Sequence, residues 1–193
     1  MQRLFAIAAI ASVSACLEVP GTGKPAELAM RDVSAPDGAS LEQACTPSGV
    51  EMCFDAIDNN CNGVIDEGCG VHTGILQFAI AWDAAEADVN LEVTDAAGEV
   101  AQPGEATTSG LYKDRDCPRD GGCFSQNVEN VFLASGEPEK GRYRVVVKLE
   151  KLGTATAPVK VRLGVRVGQR SYASAFELSP GDKASEKAFE FTL

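Results

Sequence analysis

Apolar and polar residues alternate in two-residue steps through the C-terminal part of the chain. Tyr143, Val145, Val147 and Leu149 interleave with Arg144, Val146 and Lys148. Val159, Val161, Leu163, Val165 and Val167 interleave with Lys160, Arg162 and Arg166, and Phe189, Phe191 and Leu193 with Ala188, Glu190 and Thr192. Successive side chains of a strand point to opposite faces, so this period marks strands with one buried and one wet face. Residues 74–82, 88–94, 127–133 and 171–178 read as further strands, with Asp95-Ala96-Ala97-Gly98 as the turn after the second of them. Glycine and proline punctuate the gaps at Gly136-Glu137-Pro138, Ala157-Pro158 and Ser179-Pro180-Gly181. No stretch beyond residue 70 carries a helical apolar period. The pattern predicts an all-β domain over residues 71–193, an antiparallel, jelly-roll-like β-sandwich of seven or eight strands.

Ahead of residue 71 the alternation stops, and three different textures replace it. Residues 1–16 start with Met1-Gln2-Arg3, run apolar from Leu4 to Ala11 and end in Val13-Ser14-Ala15-Cys16. So short an apolar run, closed by small residues, predicts a secretory signal rather than a membrane span. Val-Ser-Ala-Cys resembles the bacterial lipobox, which implies lipidation of Cys16, attachment to a membrane through that lipid, and a place in the cell envelope, at the outer membrane or cell surface. Residues 17–44 hold Pro20, Gly21, Gly23, Pro25, Pro36 and Gly38 without a sustained apolar period and predict a flexible tether. Residues 45–70 are acidic, rich in cysteine and too few to bury a core, so their shape is expected to depend on disulfides, with metal as a further support.

Charge and cysteine count narrow the chemistry. The 193 residues carry a net charge of −11. Residues 17–70 hold ten acids and two bases, whereas residues 71–193 hold eighteen and fourteen. Negative charge concentrated ahead of the sandwich argues against nucleic acid as a partner and suits a divalent cation. Seven cysteines are an odd number; lipid on Cys16 would leave Cys45, Cys53, Cys61, Cys69, Cys117 and Cys123 for up to three disulfides in an oxidising compartment. Cys117 and Cys123, close together and far from the rest, are expected to pair. The other four stand eight residues apart and allow three pairings, which stay open. A zinc knuckle would need a closer C-x₂₋₄-C spacing, which is absent.

Residues 51–69 read E-M-C-F-D-A-I-D-N-N-C-N-G-V-I-D-E-G-C. Asp58, Asn60 and Asn62 place oxygens at alternate positions, Gly63 follows where a tight loop wants no Cβ, and Asp66 and Glu67 close the run. Calcium takes six to eight oxygens at about 2.3–2.6 Å, and D-x-[DN]-x-[DN]-G is how a short loop supplies the first of them. The expected ligands are Asp58, Asn60, Asn62, the Val64 carbonyl, Asp66 and Glu67. Glu51-Met52-Cys53, Asp58-Asn59-Asn60-Cys61-Asn62-Gly63 and Asp66-Glu67-Gly68-Cys69 resemble the metal-binding motif repeated in surface proteins of myxobacteria. This chain departs from it with Phe54-Asp55 where C-D-G or C-N-G is usual, and with Asn60 and Asn62 in place of aspartates. Fewer carboxylates imply weaker calcium binding. Motifs related to this one have been linked to copper, and Met52 and His72 flank the run. Copper prefers imidazole, thiolate and thioether, however, so calcium is the expected ion and copper the second candidate.

A looser resemblance covers most of residues 74–193. Trp82-Asp83 and Asp88-Val89-Asn90-Leu91-Glu92-Val93 resemble the opening of bacterial pre-peptidase C-terminal-like (YfaP-like) sandwiches, with Asp116-Cys117…Cys123 and Val128-Glu129-Asn130-Val131 in the places of two later motifs. That implies an appended, non-catalytic module of a secreted protein, and Asp88, Asn90, Glu129 and Asn130 as a second oxygen cluster. Turn capping favours the same residue types. Catalysis is not expected: His72 is the only histidine, no G-x-S-x-G elbow occurs, and the mature thiols have expected disulfide partners. The sandwich is expected to meet an envelope protein or polysaccharide, although Tyr112, Tyr143, Tyr172 and Trp82 are too scattered in sequence to predict an aromatic platform.

Overall fold

The computed structural model describes residues 28–45, 47, 49–118, 123 and 126–193. The expected signal with Cys16, and residues 17–27 of the expected tether, lie outside the described residues. Among the described residues are ten strands and no helix: β1 (Arg31–Ser34), β2 (Glu42–Gln43), β3 (Leu76–Trp82), β4 (Asp88–Thr94), β5 (Tyr112–Arg115), β6 (Val128–Leu133), β7 (Arg142–Lys151), β8 (Val159–Val167), β9 (Arg170–Leu178) and β10 (Glu186–Thr192). They form two antiparallel sheets, one of four strands in the order β1-β10-β7-β4 and one of six in the order β2-β9-β8-β3-β6-β5. The pairings nest: β1 with β10, β2 with β9, β3 with β8, β4 with β7 and β5 with β6. One long hairpin has been rolled into two layers, the jelly-roll arrangement that alternation alone only suggested.

The core lies between the layers. Phe78 and Ile80 of β3, Leu91 and Val93 of β4, Val145 and Val147 of β7, Leu163 and Val165 of β8, and Phe189 and Phe191 of β10 are all buried there. Tyr143 stacks on Phe191 with ring centroids 5.6 Å apart, and its hydroxyl donates to the Glu139 carbonyl at 2.8 Å, so its polar tip is satisfied. The outer face of the four-stranded sheet is a solvated ladder in which Arg144 faces Glu186 and Glu190 at 3.8 Å; exposed pairs of this length add little stability.

Two departures from the sequence reading matter for the site. Where a flexible tether was expected, β1 and β2 add strands to opposite sheets. Their six residues are all exposed, so no apolar alternation announces them; edge hydrogen bonding recruits them and covers two open sheet edges. The second departure is β3, which is buried at all seven positions. Leu76, Phe78, Ile80 and Trp82 enter the core, while Gln77, Ala79 and Ala81 face outward and are nevertheless covered. The cysteine-rich segment covers them.

Candidate metal centre

Two interlaced disulfides, Cys45–Cys61 and Cys53–Cys69, select one of the three open pairings, and Cys117–Cys123 pair as expected. The segment so stapled is not a free-standing loop. Ala56 and Ile65, both fully buried, pack on Ala79 and Ala81 of β3 in a small second core. Opposite them β8 carries Gly164, where a Cβ would collide with the Ala56 carbonyl and come 3.1 Å from Ile65 Cδ1. Gly63 has φ of +83° and lies so close to the Gln169 carbonyl that a Cβ would sit 2.6 Å from its oxygen, so this glycine is required twice over. A Gly164→Val variant should therefore lift the segment from the sheet, costing on the order of 1–3 kcal/mol or more. Thermal unfolding together with protease sensitivity between Cys45 and Gly70 reads this; a variant as stable and resistant as the parent would mean the segment does not dock here.

Within the segment, side-chain oxygens are bound to backbone N–H groups in sequence. Asp58, 2 % exposed, accepts from Asn62 N at 3.1 Å and from Gly63 N at 2.9 Å. The Ser171 hydroxyl lies 2.8 Å from Asp58 Oδ2 and 3.0 Å from the Ala44 carbonyl, its single proton shared between them. Asn60 Oδ1 accepts from Asn62 N at 3.0 Å and Asn62 Oδ1 from Val64 N at 2.8 Å. These Asx turns set the loop's curvature without a helix on either side. The Nδ2 groups of Asn60 and Asn62 both donate to Glu67 Oε1, the latter at 2.5 Å. Glu67 Oε2 is buried and has no hydrogen-bond partner among the described residues.

Asp66 does something different from what its place in the motif predicts. Fully buried, it accepts from Phe54 N at 2.7 Å, Asp55 N at 3.3 Å and Ala56 N at 3.2 Å. Phe54 and Ala56 have φ of +66° and +58°, so three consecutive N–H groups turn inward as a nest around the carboxylate. Glu51, outside the expected ligand set, holds the other side: Oε1 accepts from Asp66 N at 2.9 Å and Oε2 from Asn59 N at 3.0 Å. Its only signal in the sequence was its place at the head of the E-x-C pattern.

Burial raises both carboxyls. Asp66 is pushed from 3.8 to about 6 against the pull of its N–H donors. Glu51 is pushed from 4.5 to about 7, by burial first and then by the charge of Glu67. Both hold protons in the fold at a pH where the unfolded chain has released them. Their contribution is thus full below about pH 4 and lost as pH rises through about 6 to 7. Denaturant titrations in chelator should show stability declining from pH 4.5 to pH 7.5; a rising profile would contradict the burial of these groups.

The free donor that the segment offers a cation is oxygen, which suits a hard ion. Glu67 brings a carboxylate with one buried oxygen unpaired, while Asn60 and Asn62 turn their amide N–H groups to its other oxygen and their own oxygens to backbone N–H groups. The half-cystines of the segment are oxidised, which removes thiolate ligands. No group of three His, Cys, Asp or Glu side chains among the described residues is arranged to hold a metal, so a site here must draw on amide and carbonyl oxygen. Of the expected ligands, Asn60, Asn62 and Glu67 are brought together. Asp58 is spent largely on the turn, and Asp66 faces the nest.

The second expected cluster is not assembled. Glu129 and Asn130 are neighbours on β6 and point to opposite faces of the sheet. Glu129, fully buried, accepts from Leu91 N at 2.6 Å and Cys117 N at 3.2 Å. Lys113 Nζ lies 2.8 Å from Glu129 Oε2, 2.7 Å from Asp116 Oδ1 and 3.1 Å from the Leu91 carbonyl, so an ammonium takes the place a cation would have had there. Asn130 instead donates to the His72 carbonyl at 2.8 Å and to Asp114 Oδ1 at 2.7 Å, and accepts from Gln77, which also reaches the Ile65 carbonyl at 3.2 Å. Asn90 faces outward on β4, opposite Lys148.

His72 stands in the open, its Nδ1 2.7 Å from Asp114 Oδ2 and its ring stacked on Phe132 at 5.4 Å. Tyr112 meets the same Phe132 edge-on at 6.1 Å. Of the four aromatics singled out in the sequence, Tyr112 alone joins this group, through the cross-strand pairing of β5 with β6. No hydroxyl or thiol among the described residues hydrogen-bonds to the other ring nitrogen of His72.

Residues 42–67 match the family model Cu-binding_MopE, described as a "putative metal-binding motif". The match takes in β2 and the loop through Glu67 and ends before β3. No curated protein and no solved structure matches the chain. The molecule is an antiparallel β-sandwich carrying a disulfide-rich segment with a metal-binding motif on its outer face.

Proposed function

We propose that this chain is an exported, lipid-anchored envelope protein whose cysteine-rich segment binds calcium and whose sandwich is a non-catalytic binding module. Cys16 would carry the lipid, and residues 17–27 would lead from it to the first edge strand. The observation that carries the metal reading is the buried, unpartnered Glu67 Oε2 within the residues that match a metal-binding motif. Glu67, the Val64 carbonyl and the amide oxygens of Asn60 and Asn62, once turned from their backbone N–H partners, would hold the ion, with Asp58 shaping the first turn. Calcium there supplies charge that a stapled, acidic loop lacks and fixes it against β8 and β9. Hard oxygen donors favour calcium over copper, the metal in the name of the matching family. The appended-module resemblance supports a binding role over catalysis.

Calorimetry and thermal unfolding with calcium chloride test this. Binding to the folded state alone stabilises by RT ln(1 + [L]/Kd), about 2.7 kcal/mol at a hundredfold excess over Kd, so a calcium-dependent rise in Tm is expected. Copper(II) in a parallel titration is expected to give no comparable rise. No heat and no shift with calcium, or a shift with copper alone, would overturn the assignment.

A further inference from the structure

We infer that the cavity between the cysteine-rich segment and the sandwich is a binding site for a neutral saccharide unit. This deepens the binding-module reading above and does not depend on the metal. The cavity is an open cleft of about 510 Å³, within the range of small-ligand sites. Its wall is Phe54 and its rim carries Asp55, Asp83, Lys160, Arg162 and Glu177.

Phe54 is the unusual element. A bulky residue at φ of +66° is strained, and the Asp66 nest is what holds it there. The Arg115 guanidinium lies over the ring, 5.1 Å from its centroid, and the ring lines the cavity. A half-buried aromatic ring that lines a cavity can pack on the C–H face of a sugar ring. Arg162 stands between Ala81 and Ala175, its cross-strand partners, whose small side chains leave the room around it.

The rim offers donors and acceptors in alternation. Asp55 faces Arg162 at 3.7 Å, Asp83 accepts from Lys160 N at 3.0 Å, and Lys160 is the cross-strand partner of Glu177. A purely apolar ligand would strand these groups. An anion would meet three carboxylates against two cations on a chain of charge −11. A neutral polyhydroxyl compound can both donate to the acids and accept from the bases.

Trp82, the only tryptophan of the chain, lines the cavity and reports on it without a label. The full chain is titrated with cellobiose, maltose and N,N′-diacetylchitobiose in calcium and in chelator, following Trp82 fluorescence and amide shifts. A saturable change with at least one of them, in the millimolar range, is expected. Phe54→Gly relieves the positive φ, so it should fold while binding at least about tenfold more weakly, the loss of about 1.4 kcal/mol of contact. Arg162→Ala should weaken binding similarly with Tm nearly unchanged. No saturable change with any of the three sugars, or undiminished binding by Phe54→Gly, overturns the proposal. A calcium-dependent Tm rise retained alongside such a failure would leave the metal reading standing.

Discussion

Replacing Lys113 by methionine is expected to lower the stability of the sandwich by about 1–3 kcal/mol at pH 7, more than any surface change in this protein should cost. The reason is a buried donor withdrawn from three acceptors. Lys113 and fully buried Glu129 form an ion pair at 2.8 Å, and Asp116 and the Leu91 carbonyl take the remaining ammonium protons. Removing one member of a buried pair strands the other. Burial already pushes the Glu129 carboxyl up to about 7 with the ammonium beside it. Burial alone would lower Lys113, but Glu129 and Asp116 more than offset it and hold it above its ordinary range. The lysine therefore keeps its charge and the glutamate is the member that yields. In the variant the carboxyl would ionise at still higher pH, so the deficit should shrink at pH 4.5, where the folded chain holds that proton. Urea unfolding of parent and variant at both pH values checks this. An equal deficit at the two would assign the loss to packing instead of charge.

Asp66→Ala is the second large effect, and it separates construction of the loop from coordination by it. Without the carboxylate, three N–H groups at Phe54, Asp55 and Ala56 lose their acceptor, two of them on residues at positive φ. One unsatisfied buried donor costs about 1–3 kcal/mol, so roughly 2–4 kcal/mol is expected even in chelator. Glu67→Gln should behave the opposite way. Its amide keeps an oxygen for Asn60 and Asn62, so melting in chelator stays near that of the parent, while the calcium-dependent rise in Tm disappears. If Asp66→Ala melted normally in chelator and lost only the calcium response, Asp66 would be a ligand and the two roles would exchange.

Asp66 was legible as important, but the direction in which its carboxylate turns was not. A carboxylate that closes D-x-N-x-N-G-x-x-D is the same letter whether it turns toward an ion or toward the preceding backbone. The direction depends on Phe54 and Ala56 being left-handed, and neither residue type advertises that conformation. Glu129 and Asn130 are a similar case. Adjacent in sequence, they looked like one cluster, yet the pleat sends them to opposite faces, one to Lys113 and one to Asp114 and Gln77. Gly63 was legible, because a tight Asx-rich loop calls for a residue without Cβ wherever it folds.

The all-β class, the positions of most sandwich strands and the metal-binding motif within residues 51–69 follow from the order of residues alone. Each of these rests on local rules: two-residue alternation, turn-forming residues, and oxygens at alternate positions before a glycine. Tertiary structure alone decided that β1 and β2 close the sheet edges, that Cys45 joins Cys61 and Cys53 joins Cys69, and that Ala56 and Ile65 seal the outer face of β3. Those outcomes depend on which distant surfaces meet. Four equally spaced cysteines, six exposed strand residues and a glycine at position 164 carry no local signal of their partners, and only the docked segment supplies it.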